Sequence, residues 1–233
     1  MFEQATVRPA YQIAESENAV LRSVFSWMCA GLATTGLISG FIVNTPAAVD
    51  YIFTRPLLFW GLIIAEFALV VWLSARVFKM SAGTATSVFL AYSALNGVTL
   101  APIFLVYTSA SLTSTFITTA GMFGAMAFYG ATTKKDLSGW GSFLMMGLIG
   151  IVIAFVVNIF LNSPMVSFVA SGIGVVVFTG LTAYDVNQLK RIGAQIQAGE
   201  NSFRQIAIIG ALKLYLDFIN LFLMLLRFMG DRR

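Results

Sequence analysis

Read along the chain, polar and apolar positions fall into long blocks, not the short alternation of a half-buried strand. Predominantly apolar runs cover residues 24–43, 57–75, 82–107, 112–132, 140–161, 165–189 and 206–229. Each is close to the roughly 20 residues a helix needs to cross about 30 Å of hydrocarbon. Brief polar breaks separate them, several carrying turn residues: Asn44-Thr45-Pro46, Ser138-Gly139 and Asn162-Ser163-Pro164. Short connections force sequential helices to pack antiparallel. The pattern predicts an all-α polytopic membrane protein, a bundle of seven transmembrane helices. Residues 1–22 hold Glu3, Glu15 and Glu17 and no apolar core, so they are expected to be a cytoplasmic tail without a cleaved signal peptide. Residues 23–233 then form one transmembrane domain.

Charge gives this layout a direction. Arg8, Arg22, Arg76, Lys79, Lys134, Lys135, Lys190, Arg191 and Arg204 collect on one side, while the other holds Arg55 until the tail. The excess of Lys and Arg in cytoplasmic loops places the N-terminus inside. Arg227, Arg232 and Arg233 are discordant, because seven spans put that basic tail outside. Either the upstream signal overrides it or the last segment re-enters; seven spans is the reading adopted. Only 10% of the 233 residues are charged and 58% are hydrophobic, against about 25% charged in soluble domains. No basic stripe lies on any one element, which argues against nucleic-acid binding. With no histidine and Cys29 as the single cysteine, disulfides and zinc are ruled out, and proton chemistry falls to carboxylates.

Small residues suggest where helices meet. Gly36 and Gly40 form a GxxxG pair beside Thr35 and Ser39, and Gly121 and Gly124 sit among Ser and Thr; both arrangements allow close approach in lipid. Pro102, with Asn96-Gly97 before it, predicts a kink or local unwinding in the third span.

Ionisable groups inside spans cost about 2.5–3.5 kcal/mol each on insertion scales and mark function. Glu66 and Arg76 on the second span, Asp185 on the sixth, and Lys213 and Asp217 on the seventh qualify. In the last span Gly210, Lys213, Asp217, Asn220, Met224 and Arg227 recur at spacings of three and four, hence on one face. Such a stripe must turn toward protein or water, which predicts a central position for this helix. Lys213 and Asp217 at i, i+4 could instead form a merely neutralising pair, Asp185 could partner Lys190 or Arg191, and Arg76 could snorkel to headgroups. If Asp185 and Asp217 face one another, they cannot both ionise cheaply and must share a proton or bind a cation. An all-oxygen site suits calcium. Their offset along the membrane normal could reach roughly 9 Å at 1.5 Å per residue, which is the weakest joint in that pairing. The residues alone describe a proton- or cation-responsive membrane protein.

Thr182-Ala183-Tyr184-Asp185 and the segment Gly210-Ala211-Leu212-Lys213-Leu214-Tyr215-Leu216-Asp217-Phe218-Ile219-Asn220-Leu221-Phe222 closely resemble the Bax-inhibitor family. The resemblance extends through residues 93–104 and the span layout. It implies seven helices with the last surrounded by the other six, in a multi-pass protein of a bacterial inner membrane. It also implies a pH-sensitive calcium leak, with Asp185 and Asp217 as pH sensor, gate and metal-contacting pair, and with Arg76 as the latch of the closed state. Glu66, Lys213 and Asn220 are candidates to line the pathway; Lys213 departs from a purely acidic site. The expected partners are the lipid bilayer and calcium as the moving ion, with no tightly bound cofactor. A non-enzymatic interaction protein, regulating another membrane machine such as a membrane protease, is the alternative. An intramembrane aspartyl protease fits poorly, because Tyr215-Leu216-Asp217 stands where such enzymes need Gly-x-Gly-Asp and no Pro-Ala-Leu follows; no enzymatic activity is expected.

Overall fold

A computed structural model describes residues 9–196 and 201–233, excluding the side chains of Ala10 and Asn201; Glu3 and Arg8 lie outside the described residues. Helices α1 (Ala10–Val43), α2 (Pro46–Phe53), α3 (Pro56–Arg76), α4 (Ala82–Val106), α5 (Ser109–Thr132), α6 (Gly141–Leu161), α7 (Pro164–Gln195) and α8 (Asn201–Met229) follow one another, with 3₁₀ turns at Val77–Lys79 and Ser138–Trp140. The expected turn residues do start helices. Pro stands in the first turn of α2, α3 and α7, where its missing N–H costs nothing. The hydroxyls of Ser81, Thr108 and Ser163 cap α4, α5 and α7 by accepting from Thr84, Ser111 and Val166. Asn162 ends α6 in the left-handed conformation at φ 47°, a position Asn tolerates.

Several details of the layout differ from expectation. α1 extends back through Glu15 and Glu17, well before the apolar run. The connection after residue 43 contains α2, which is too short to cross. α4 remains helical through Asn96, Gly97 and Pro102, so the expected unwinding is absent.

The molecule is a polytopic membrane protein, and its exposure pattern is inverted relative to a water-soluble one. Leu57, Phe67 and Trp60 on α3 and Phe160, Ile159 and Phe143 on α6 are exposed. Among the described residues six helices are long and apolar enough to cross a bilayer: all the long ones except α5. In α5 the first half carries Thr113, Ser114, Thr115, Thr118 and Thr119, which lower its hydropathy. Several of those hydroxyls donate to their own helix backbone, Thr118 to Ser114 and Thr119 to Thr115.

α8 forms the axis of the core. Two thirds of its most apolar stretch is buried, 67% against 39% or less for the other five apolar helices. It packs against α1, α4, α5 and α7, while α3 rests mainly on α4 and α6 on α7. Tyr215, Leu212, Leu214 and Leu221 are fully buried there, and edge-on ring contacts join Tyr215 to Phe89 and Tyr92, and Phe218 to Phe116 and Phe123.

The close backbone approaches are not where the glycine pairs suggested. A Cβ at Gly36, Gly40, Gly121 or Gly124 would meet nothing within 4 Å. Thr35 and Ser39 make the α1–α4 contact instead, donating to the carbonyls of Ser93 (2.8 Å) and Gly97 (2.6 Å). Gly36 and Gly40 are each one residue, about 100° of helix rotation, past that face. A tight position on this interface is Gly97, where a Cβ would lie 2.7 Å from the Thr35 carbonyl oxygen.

Candidate functional site: a carboxylate pair between α7 and α8

Asp185 and Asp217 are both buried, 8% and 5% exposed. The helix periodicity that fills α7 with Val177, Phe178, Leu181 and Val186 on its buried side carries Asp185 inward with them. Asp217 sits on α8 among the buried residues Leu214, Phe218 and Leu221. The two carboxyl groups are near neighbours across the α7–α8 interface, close enough to feel one another's charge. The feared depth mismatch is therefore absent. α7 stays helical for six residues beyond the expected end of its span, and α8 starts five residues earlier than expected.

Lys213 supplies the compensating charge, but across the helix interface. Its Nζ lies 3.4 Å from Asp185 Oδ1, so it reaches the partner helix instead of pairing with Asp217 one turn along. The Lys213 side chain is half exposed, 53%, against 11% for Asp185; one end of the pair thus touches accessible space. Asp217 Oδ2 is buried and meets no donor among the described residues. A buried carboxylate oxygen without a donor is costly when ionised, so the arrangement favours holding a proton or a cation between the two carboxyl groups.

Of the residues expected to compete for Asp185, Lys190 forms no ion pair among the described residues and Arg191 is engaged elsewhere. Arg191 pairs with Asp136 at 3.0 Å on the surface and donates to Asn187 Oδ1. Asn187 also donates to the Gly130 carbonyl and accepts from the Leu137 amide, pinning α7 to the α5–α6 connection. Arg76 is the last residue of α3, exposed, and forms no ion pair among the described residues. Asn220 donates to the Leu216 carbonyl of its own helix (2.8 Å).

Glu66 is not part of the pair. Its carboxylate accepts from Asn96 Nδ2 and from Thr99 Oγ1 (2.7 Å) on α4. Tyr92 and Tyr215 stand close enough to feel its charge, and the Tyr215 hydroxyl is 2.7 Å from Thr35 Oγ1. A polar seam thus runs from Glu66 through α4 to α1 and α8. Sequence reading marked Glu66 but missed its partners: Asn96 and Thr99 look like ordinary helix residues until α3 is laid against α4. Among the described residues no group of three or more Asp, Glu, His or Cys converges on one point, so the pair offers a cation two carboxylates and no third.

Comparison with known proteins agrees with this architecture. Residues 17–233 match the family model described as inhibitor of apoptosis-promoting Bax1. The chain is 53% identical over 214 residues to the inner membrane protein YbhL of Escherichia coli K12, covering 91% of this chain and 92% of that one. It is 45% identical over 217 residues to an uncharacterized protein of Borreliella burgdorferi, covering 93% and 94%. A third relative, an uncharacterized protein of Rickettsia prowazekii, is 39% identical over 221 residues, covering 94% and 92%. With residues 17–233, nearly the whole helical bundle, matched, the chain belongs to the Bax-inhibitor family.

Proposed function

We propose that this protein is a pH-sensitive cation leak pathway of a bacterial inner membrane, with calcium as the moving ion and the Asp185–Asp217 pair as its gate. The observation that carries the reading is the meeting of two buried carboxyl groups from adjacent helices with a single lysine on one of them. Charges at this depth are expensive and persist where they serve transport or proton exchange. Two carboxylates with a competing lysine make a poor resident site for an ion that wants six to eight oxygens; they suit an ion that pauses and leaves. Lys213 is the cation on Asp185 in this conformation, and we assign it the holding role that the family resemblance gives to Arg76. Seven spans with the N-terminus inside complete the reading. α5 has 24 residues, about 36 Å at 1.5 Å per residue, and its hydroxyls bonded within the helix reduce the cost of lipid. YbhL, the 53% identical relative, is an inner membrane protein, which supports the location.

The test is calcium flux into proteoliposomes of purified protein across a pH series, for wild type, Asp185→Asn, Asp217→Asn and the double variant. Asn keeps shape and hydrogen-bonding capacity while removing the charge. Each single variant should flatten the pH response and weaken calcium binding, and the double should add little, because interacting residues act as a unit. Monodisperse elution checks folding. Additive, independent effects would end the shared-gate mechanism, and wild-type behaviour in all three variants would favour the interaction-protein reading.

A further inference from the structure

We propose that the cavity between α4, α6, α7 and α8, at the end where α8 finishes, binds a phosphate group, carried by a lipid headgroup or by a free phosphate. The cavity encloses about 930 Å³. Arg227 and Arg232 both line it, near enough to repel one another, and no acidic residue is among its described lining. Neither guanidinium forms an ion pair among the described residues. Each instead has an aromatic ring against its face: Arg227 lies 4.7 Å from the centre of Phe155 and Arg232 lies 5.8 Å from that of Tyr107. A ring engages the guanidinium face and leaves the in-plane N–H fork, the part that matches phosphate oxygens, unspent.

The second arginine owes its place to the backbone. Residues at the C-terminus strap onto the α4–α5 connection through an antiparallel bridge of Tyr107 with Arg232. Thr108 N donates to the Asp231 carbonyl (3.2 Å), Arg233 N to the Val106 carbonyl (2.9 Å), and Asp231 N to Ser111 Oγ (2.9 Å). An exposed segment of this kind is normally loose; this one is fastened, which places Arg232 in the same cavity lining as Arg227. The first turn of α7, at Ser163 and Pro164, opens into the same space, and the partial positive charge of a long helix's N-terminus adds to the field. Asp231, the acid closest along the chain, is exposed on the strap and is not part of the lining. Two guanidinium groups of like charge lining one cavity, with no acid in its described lining, suit an anion with several oxygens such as phosphate. Leu100, Ile103, Leu223 and Phe168 form the apolar part of the wall and would accommodate the start of an acyl chain. The basic tail that conflicted with the loop-charge rule thereby acquires a purpose unrelated to topology.

The full chain in detergent tests this through thermal unfolding, titrated with inorganic phosphate and, separately, with phosphatidylglycerol or phosphatidylcholine of the same chains. Wild type is compared with Arg227→Gln, Arg232→Gln and, as a control at the other end of α8, Arg204→Gln. Saturable stabilisation by phosphatidylglycerol above phosphatidylcholine, without a response to inorganic phosphate, identifies a lipid headgroup; a saturable response to inorganic phosphate identifies the free anion. In either case Arg232→Gln should weaken the midpoint roughly tenfold or more, the loss of one charge-assisted hydrogen-bonding group, while Arg204→Gln follows wild type. Arg232 is exposed, so its substitution should leave folding intact even if Arg227→Gln does not. No saturable response in wild type, or equal loss in the Arg204 control, overturns the proposal.

Discussion

Asp185, Asp217 and Lys213 make the case for function one side chain at a time. The Lys213–Asp185 contact joins a half-exposed ammonium to a buried carboxylate, and partly exposed pairs contribute about 1 kcal/mol or less. Lys213→Gln should therefore strengthen calcium occupancy of the pair by a few-fold, roughly what about 1 kcal/mol delivers, and raise the leak at neutral pH. Arg76→Ala should change either quantity little, since Arg76 is exposed and without an ion pair among the described residues. Calcium binding and flux for the two variants side by side decide the matter, and the reverse ranking would return the latch to Arg76. On the surface, Asp136 is not a competing pH sensor. Asp136 has its carboxyl held below the usual value of 3.8, first by hydrogen bonds from Ser138 and then by Arg191. With a depressed folded value, its contribution to stability is present above pH 3.8 and disappears only as pH falls through the lower folded value. A response between pH 5 and 8 therefore does not come from Asp136.

Helix pairs show why a motif is weaker evidence than a contact. GxxxG at Gly36 and Gly40 reads as a packing seam, yet the seam is Thr35 and Ser39 with Gly97 opposite. Sequence alone reveals which residues are small; which way a helix is rotated depends on the neighbour it meets. Gly97→Ala should therefore cost about 1–3 kcal/mol, because a Cβ would press on the Thr35 carbonyl and on Ile38 Cβ at 2.9 Å. Gly36→Ala, with open space around it, should be neutral or stabilise by up to about 1 kcal/mol through helix propensity. Thermal unfolding in detergent compares the two; equal losses would mean that the α1–α4 interface is not the one described. The same logic explains the Glu66 seam. A carboxylate in a lipid-facing helix announces that a partner exists, but Asn96 and Thr99 are identified as that partner only when α3 lies on α4.

At the scale of the molecule the outstanding expectation is topology. A reporter fused after Lys135 should be cytoplasmic and one after Arg233 external; a cytoplasmic signal from the second would remove α5 or α8 from the count of spans. Block hydropathy by itself determined that the chain is a helical membrane protein, roughly where its long helices lie apart from the N-terminal extension of α1, and which charges are costly. The reason is that hydrocarbon enforces length and apolarity on each segment separately. The polar stripe likewise marked α8 as the helix facing protein, and α8 is the core axis. Tertiary structure alone decided the pairings. It brought Asp217 to Asp185 across a depth difference that residue counting left open, turned Lys213 from its own helix to the next, and strapped the basic tail against the α4–α5 connection beside Arg227. Those outcomes depend on the rotation, overhang and crossing of helices. Such quantities arise from two surfaces fitting together, and no single segment carries them.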